Sequence, residues 1–115
     1  METTHDDTRQ WDELLDKLEG LLGKRPGDLN GVLFLIGVQE LGKGHQFFTK
    51  EQKQDLMHIA ICKVLSYSGY YELEGLDAEG WPHWKLVQKL PFVDLLSQEK
   101  LLKQHIVEYF EREGI

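Results

Sequence analysis

One cysteine, Cys62, stands in a chain of 115 residues. No intramolecular disulfide is possible, a cysteine-rich zinc site is excluded, and a lone thiol fits a reducing compartment. Long apolar runs are missing as well. The longest, Val32 to Val38, is far shorter than the ~20 residues that span a bilayer. Met1 to Asp7 lack the basic start and apolar stretch of a secretory signal, so cytoplasmic residence without a membrane is expected. Basic charge is scarce: 13 Lys and Arg face 20 Asp and Glu, for a net charge of −7. Binding to a phosphate backbone needs clustered Lys and Arg, so nucleic acid is a disfavoured partner. No His-Glu-x-x-His motif occurs. Gly42-x-Gly44 has neither the preceding strand nor the third glycine of a phosphate-binding loop.

What remains is an ordinary globular balance of 41% hydrophobic and 29% charged residues, at a length that suits one domain. Residues 1–7 read as a disordered tail and 8–115 as a single globular domain. From Thr8, Trp11, Leu14, Leu15, Leu18 and Leu22 recur at helical spacing, and Gly23 and Pro26 end that helix. Residues 28–41 are apolar on all sides, which suits a buried helix or a buried strand. Their length, a capping Asp28 and a closing Gly42 favour the helix. Gly37 would then cost stability unless a neighbour packs close against it. Thr49 and Gln52 form a capping box, opening a third helix from Lys50 to about Tyr67.

Tyr70 to Gly75 and Trp81 to Gln88 flank a turn-rich stretch that ends at Gly80, the pattern of a hairpin. Tyr71 and Leu73 should face the core. Ser97 is placed to cap a last helix running to about Arg112, with Leu101, Leu102, Ile106, Tyr109 and Phe110 as its buried stripe. The expected fold is therefore α+β: four helices around one core, with a two-stranded antiparallel hairpin between helices 3 and 4.

Two resemblances follow. Phe34 to Gly44, Asp55 to Ala60 and Gly80-Trp-Pro-His-Trp84 together resemble a family of short bacterial proteins of unknown function, which implies no activity. The element order is similar to that of winged-helix domains, which implies a DNA-reading third helix and a hairpin wing. The supposed wing carries Glu72, Glu74, Asp77 and Glu79, and the third helix has no Arg, so phosphate would be repelled.

One constellation has chemical content. At about 100° per residue, Glu51, Asp55, His58 and Cys62 fall on one narrow helical face. A histidine beside a cysteine can draw the thiol toward thiolate, and a carboxylate can fix the histidine tautomer. Asp55, His58 and Cys62 are thus the catalytic candidates. Glu40, His45, Asp55 and His58 are the candidate ligands for a divalent metal, although no cofactor is predicted. The bland alternative is a solvent-facing side of an amphipathic helix. His83 and His105 read as packed or surface histidines. Tyr70, Trp81 and Trp84, with Tyr71, make an aromatic hairpin suited to a partner. Tyr71 and Trp84 are expected inside, Tyr70 and Trp81 outside.

The leading expectation is a small interaction or regulatory module, rather than an enzyme, that binds a protein partner or itself, as in a homodimer, through the aromatic hairpin or the last helix. The alternatives are a metal- or thiol-dependent enzyme built on the third helix and a winged-helix DNA binder.

Overall fold

An apolar segment hides its backbone polar groups best by bonding them to itself, and residues 28–41 do so as a helix. A computed structural model describes residues 3–44 and 46–114. Its elements are α1 (Thr3–Leu22), α2 (Leu29–Leu41), α3 (Lys50–Ser66), β1 (Tyr71–Leu76), β2 (Pro82–Leu86) and α4 (Leu95–Arg112). The fold is α+β, and the order is helix, helix, helix, hairpin, helix. Among the described residues no helix is long and apolar enough to cross a membrane.

The chain divides into two contact units. One is formed by α2, α3 and the hairpin, Leu29–Pro91. Here α2 buries Val32, Leu33, Ile36 and Leu41. Gly37 meets α3 so closely that an added Cβ would lie 2.2 Å from the Leu56 carbonyl oxygen and 2.6 Å from its carbon. That contact explains the glycine within a helix. It lets two backbones touch, which offsets the loss of helix propensity. Leu41, Phe48, Leu56 and Ile59 pack together, with Phe34, Val38 and Trp81 against them. Phe48 stands edge-on to both Phe34 (centroids 6.1 Å apart) and Trp81 (6.4 Å). It pins the α2–α3 loop to the helices.

The capping box of α3 forms as the sequence indicates. The Thr49 side chain accepts from the Gln52 N–H at 3.1 Å, and the Thr49 N–H donates to Gln52 Oε1 at 2.9 Å. At the other end Gly69 takes φ +84°. The Tyr70 N–H returns to the Leu65 carbonyl at 3.3 Å, while the Tyr70 carbonyl accepts from Val87 N–H at 2.9 Å. The hairpin therefore leaves α3 without slack.

Strands β1 and β2 pair antiparallel, Tyr71 opposite Leu86 and Leu73 opposite Trp84, with a bulge between Leu73 and Gly75. Leu73 was expected in the core. It is instead 52% exposed, because a two-stranded sheet extends beyond what α3 covers.

The other unit comprises Met1–Asp28 and Phe92–Ile115. Helix α1 begins ahead of Thr8, at Thr3. Trp11, Leu14 and Leu18 of α1 and Leu102, Ile106, Tyr109 and Phe110 of α4 are buried. Lys103 Nζ lies 5.2 Å from the centre of the Trp11 ring. The N-cap of α4 is Asp94, not Ser97. The Asp94 carboxylate accepts from the Ser97 N–H at 2.8 Å, so Ser97 is the third helical residue. An ionised carboxylate is the stronger acceptor at a helix N-terminus, and the Ser97 hydroxyl, then the Ser97 N–H, hold the Asp94 carboxyl below its ordinary range. Leu101 is only partly buried. Buried His105 donates Nδ1–H to the Leu101 carbonyl at 2.8 Å, as a packed histidine should.

The Gly37 contact carries a direct expectation. Gly37→Ala forces the Leu56 backbone away and should cost about 3 kcal/mol or more. Gly20→Ala, in a helix where a Cβ meets nothing within 4 Å, should stabilise by about 0.5–1 kcal/mol. Urea denaturation of both variants checks the contrast.

Candidate functional site

The exposed face of α3 and the hairpin together enclose a groove of about 350 Å³. Helix α3 supplies Gln52, Asp55 and His58 with apolar Ile59; the hairpin supplies Asp77, Glu79, Trp81, Pro82, His83 and Trp84. Asp55 and His58 are exposed, although Cys62, on the same narrow line one turn further along α3, is fully buried. Leu56, next to Asp55, is fully buried against Gly37, so the helix crossing itself orients Asp55 outward.

On the hairpin, Asp77 organises the turn. Its N–H donates to the Trp81 carbonyl at 2.9 Å and its carbonyl accepts from Gly80 N–H at 2.9 Å. One carboxylate oxygen accepts from the N–H groups of Glu79 (2.9 Å) and Trp81 (3.0 Å). The other lies 3.0 Å from His83 Nε2. Gly80 closes the three-residue loop at φ +86°, the left-handed step such hairpins need. The His83 bond, then the backbone donors, hold the Asp77 carboxyl below its ordinary range. Because the carboxylate can only accept, His83 donates Nε2–H to it. The imidazole is 60% exposed. The buried indole nitrogen of Trp84 meets no acceptor among the described residues.

The α3 line of Asp55, His58 and Cys62 is geometrically real but chemically uneven. The Cys62 sulfur is 3.7 Å from His58 Nε2 and 3.9 Å from Nδ1. Near-equal distances place it away from either nitrogen's bonding direction, since an in-line bond to one leaves the other much farther off. Cys62 is fully buried, and burial pushes its thiol up to about 12. Burial thus works against the thiolate, the form that attacks or binds metal. Burial, and then the neighbouring Cys62, also raise the Tyr71 phenol; the Tyr71 ring stands edge-on to His58, centroids 6.4 Å apart. No hydrogen bond joins Asp55 to His58 among the described residues.

Of the described candidate metal ligands, Glu40 stands apart from Asp55 and His58. Glu40 lies 3.9 Å from Lys63 Nζ, which places it by a residue roughly 140° around α3 from His58. That Lys63 also lies 5.7 Å over the Tyr67 ring, as its place in an apolar arc requires. His45 lies outside the described residues. Among those described, no group of three His, Cys, Asp or Glu is placed to hold a metal ion.

Tyr70, Trp81 and Trp84 are all partly buried. Trp81 is not an exposed aromatic; it packs on Phe48. On the hairpin and just past it, the apolar side chains that reach solvent are Leu73 (52% exposed), Leu76 (67%), Leu86 (49%) and Val87 (43%); elsewhere Phe47, Val93, Leu95 and Leu96 are more exposed still. Sequence reasoning missed these, and it missed the pairing of Asp77 with His83. The Asp-x-x-Gly pattern of the turn was the available signal for Asp77, because that spacing suits a side chain capping its own loop.

Two outcomes follow. Asp77 is held low in the folded state, so it adds stability above its unfolded pKa, and that stability is lost as pH falls through the folded value. The melting temperature should therefore fall below about pH 4, and fall less in Asp77→Asn, as a circular-dichroism melt across pH will record. Cys62 should resist a thiol reagent at pH 7 in the folded chain and react fully in denaturant.

Compared with protein-family models, with curated proteins and with solved structures, the chain matches none of them.

Proposed function

We propose that this chain is a small interaction module that self-associates through its hairpin, along the outer edge of β2. The observation that carries this reading is the set of apolar side chains the hairpin leaves in water, Leu73, Leu76, Leu86 and Val87. They sit on a sheet of only two strands. A lone hairpin is marginal, and its free edges are templates for another strand.

The two edges differ. Strand β1 is interrupted by the bulge after Leu73 and carries Glu72 and Glu74, the devices by which proteins blunt an edge. Strand β2 carries Trp84, Leu86 and the following Val87, with Lys85 as its one full charge. Val87 N–H bonds inward to Tyr70. The alternation of an antiparallel ladder then directs the backbone groups of Trp84 and Leu86 outward. A second copy related by a two-fold axis can add its own β2 there, making a four-stranded sheet by the isologous contact typical of homodimers.

The other two readings have less support. Thiol chemistry needs an accessible thiolate, and Cys62 is buried, which disfavours one. DNA binding needs a basic wing, and this one is acidic.

Light scattering on the purified chain at about 100 µM, a concentration that populates a micromolar dimer, should give twice the monomer mass. Leu86→Glu should return it to monomer with little change in melting temperature. A wild-type chain that stays monomeric, or a Leu86→Glu chain that stays dimeric, would overturn the proposal.

A further inference from the structure

We infer that the two-fold axis of the self-associated pair passes between the Trp84 residues of the two copies, so that Lys85 of each copy lies against the other's Asp77–His83 pair. The inference rests on the self-association proposed above and gives that interface its register and its charged contact.

The backbone limits the choices. Val87 N–H points inward to Tyr70, and an antiparallel ladder alternates, so within β2 only Trp84 and Leu86 turn both an N–H and a carbonyl outward. Pro82 turns out a carbonyl alone. A two-fold axis through paired β2 edges sets one residue opposite its own copy. An axis at Pro82 or His83 puts the missing proline N–H in the middle of the new ladder. An axis at Leu86 carries the partner strand past the end of β2, where the chain bends at Gln88 and no longer offers an extended edge. An axis at Lys85 sets ammonium against ammonium in a non-hydrogen-bonded pair, where side chains come closest and like charges destabilise. Glu72, opposite Lys85 within the hairpin, is there in every register and does not choose among them.

The axis at Trp84 meets none of these obstacles. All of β2 overlaps the partner strand. Trp84 N–H donates to the carbonyl of the partner's Trp84, and Leu86 N–H donates to the carbonyl of the partner's Pro82. Each proline then stands at an end of the ladder, where its missing N–H leaves only a carbonyl for water to meet. Directly opposite side chains share a face of the sheet, so the partner's Lys85 comes to His83. That imidazole is exposed and bonded at 3.0 Å to the Asp77 carboxylate, itself 37% exposed. The lysine that would repel its own copy thus meets a carboxylate and an imidazole instead. Because Asp77 and His83 line the groove beside α3, the second copy contributes a cation to the rim of that groove, which a single chain lacks.

Cysteine cross-linking reads the register directly, since opposite residues bring their Cβ atoms within reach of a disulfide. Chains carrying His83→Cys and chains carrying Lys85→Cys are mixed, left to exchange, and oxidised with diamide at about 100 µM. Mass spectrometry should find a cross-linked dimer with one chain of each kind. Either variant alone should give none, and neither should the wild type, whose Cys62 is buried. Pro82→Cys mixed with Leu86→Cys should link in the same way, and this second pair leaves the bond between Asp77 and His83 intact. A Lys85→Cys chain or a Leu86→Cys chain that links to itself would overturn the register. So would mixtures that stay unlinked while light scattering shows a wild-type dimer; in each of these cases self-association stands. A wild-type chain that scatters as a monomer overturns both.

Discussion

The contact between Gly37 and the Leu56 backbone governs the geometry of the α2, α3 and hairpin unit. Side chains usually separate packed helices by 8–10 Å. Where one helix offers only hydrogen, the other can settle into it, and here a Cβ would meet the Leu56 oxygen at 2.2 Å. This fixes the rotation of α3 about its axis. Leu56 and Ile59 turn inward to Leu41 and Phe48, and Asp55 and His58 turn outward to the groove. A single residue without a side chain thus decides which of the α3 residues are packing and which are chemistry.

The hairpin answers a second constraint, that a turn's backbone donors need acceptors. Asp77 meets it with one oxygen for two N–H groups and the other for His83. The same carboxylate therefore closes the loop and orients the imidazole at the rim of the groove. What it does not do is cover the sheet. Leu73 and Leu86 remain half exposed, and the acidic, bulged β1 leaves β2 as the strand with the more apolar edge.

Local rules carried much of this from the sequence. Capping at Thr49 and Gln52, breaks at Gly23 and Gly69, and the hairpin around Gly80 rest on neighbours within a few residues, and they are found where such rules place them. Helix was the better reading of residues 28–41 because its ends were marked, and Gly37 showed that something must approach closely, though not what. The misreadings have the same origin in range. Ser97 is the residue the sequence offers as a cap, but the helix opens three residues earlier at Asp94, and only the backbone shows that start. The wheel put Cys62 beside His58, which is correct. Its burial follows from how much of that face neighbouring segments cover, which no wheel contains. The pairing of His83 with Asp77, and their place with Asp55 along one groove, depend on a strand register that contains a bulge, and so they were invisible until the strands were paired.

Tyr70 links these parts in an unexpected way. Its N–H is tied to the last turn of α3 and its carbonyl to Val87, just past β2, so one peptide-long strut spans helix and sheet. Load applied to the rim of the sheet passes through that strut into the helix axis rather than dissipating in a loose connector. Whatever attaches at the far strand therefore works against a short hydrogen-bonded tie to the end of α3, not against a free tether.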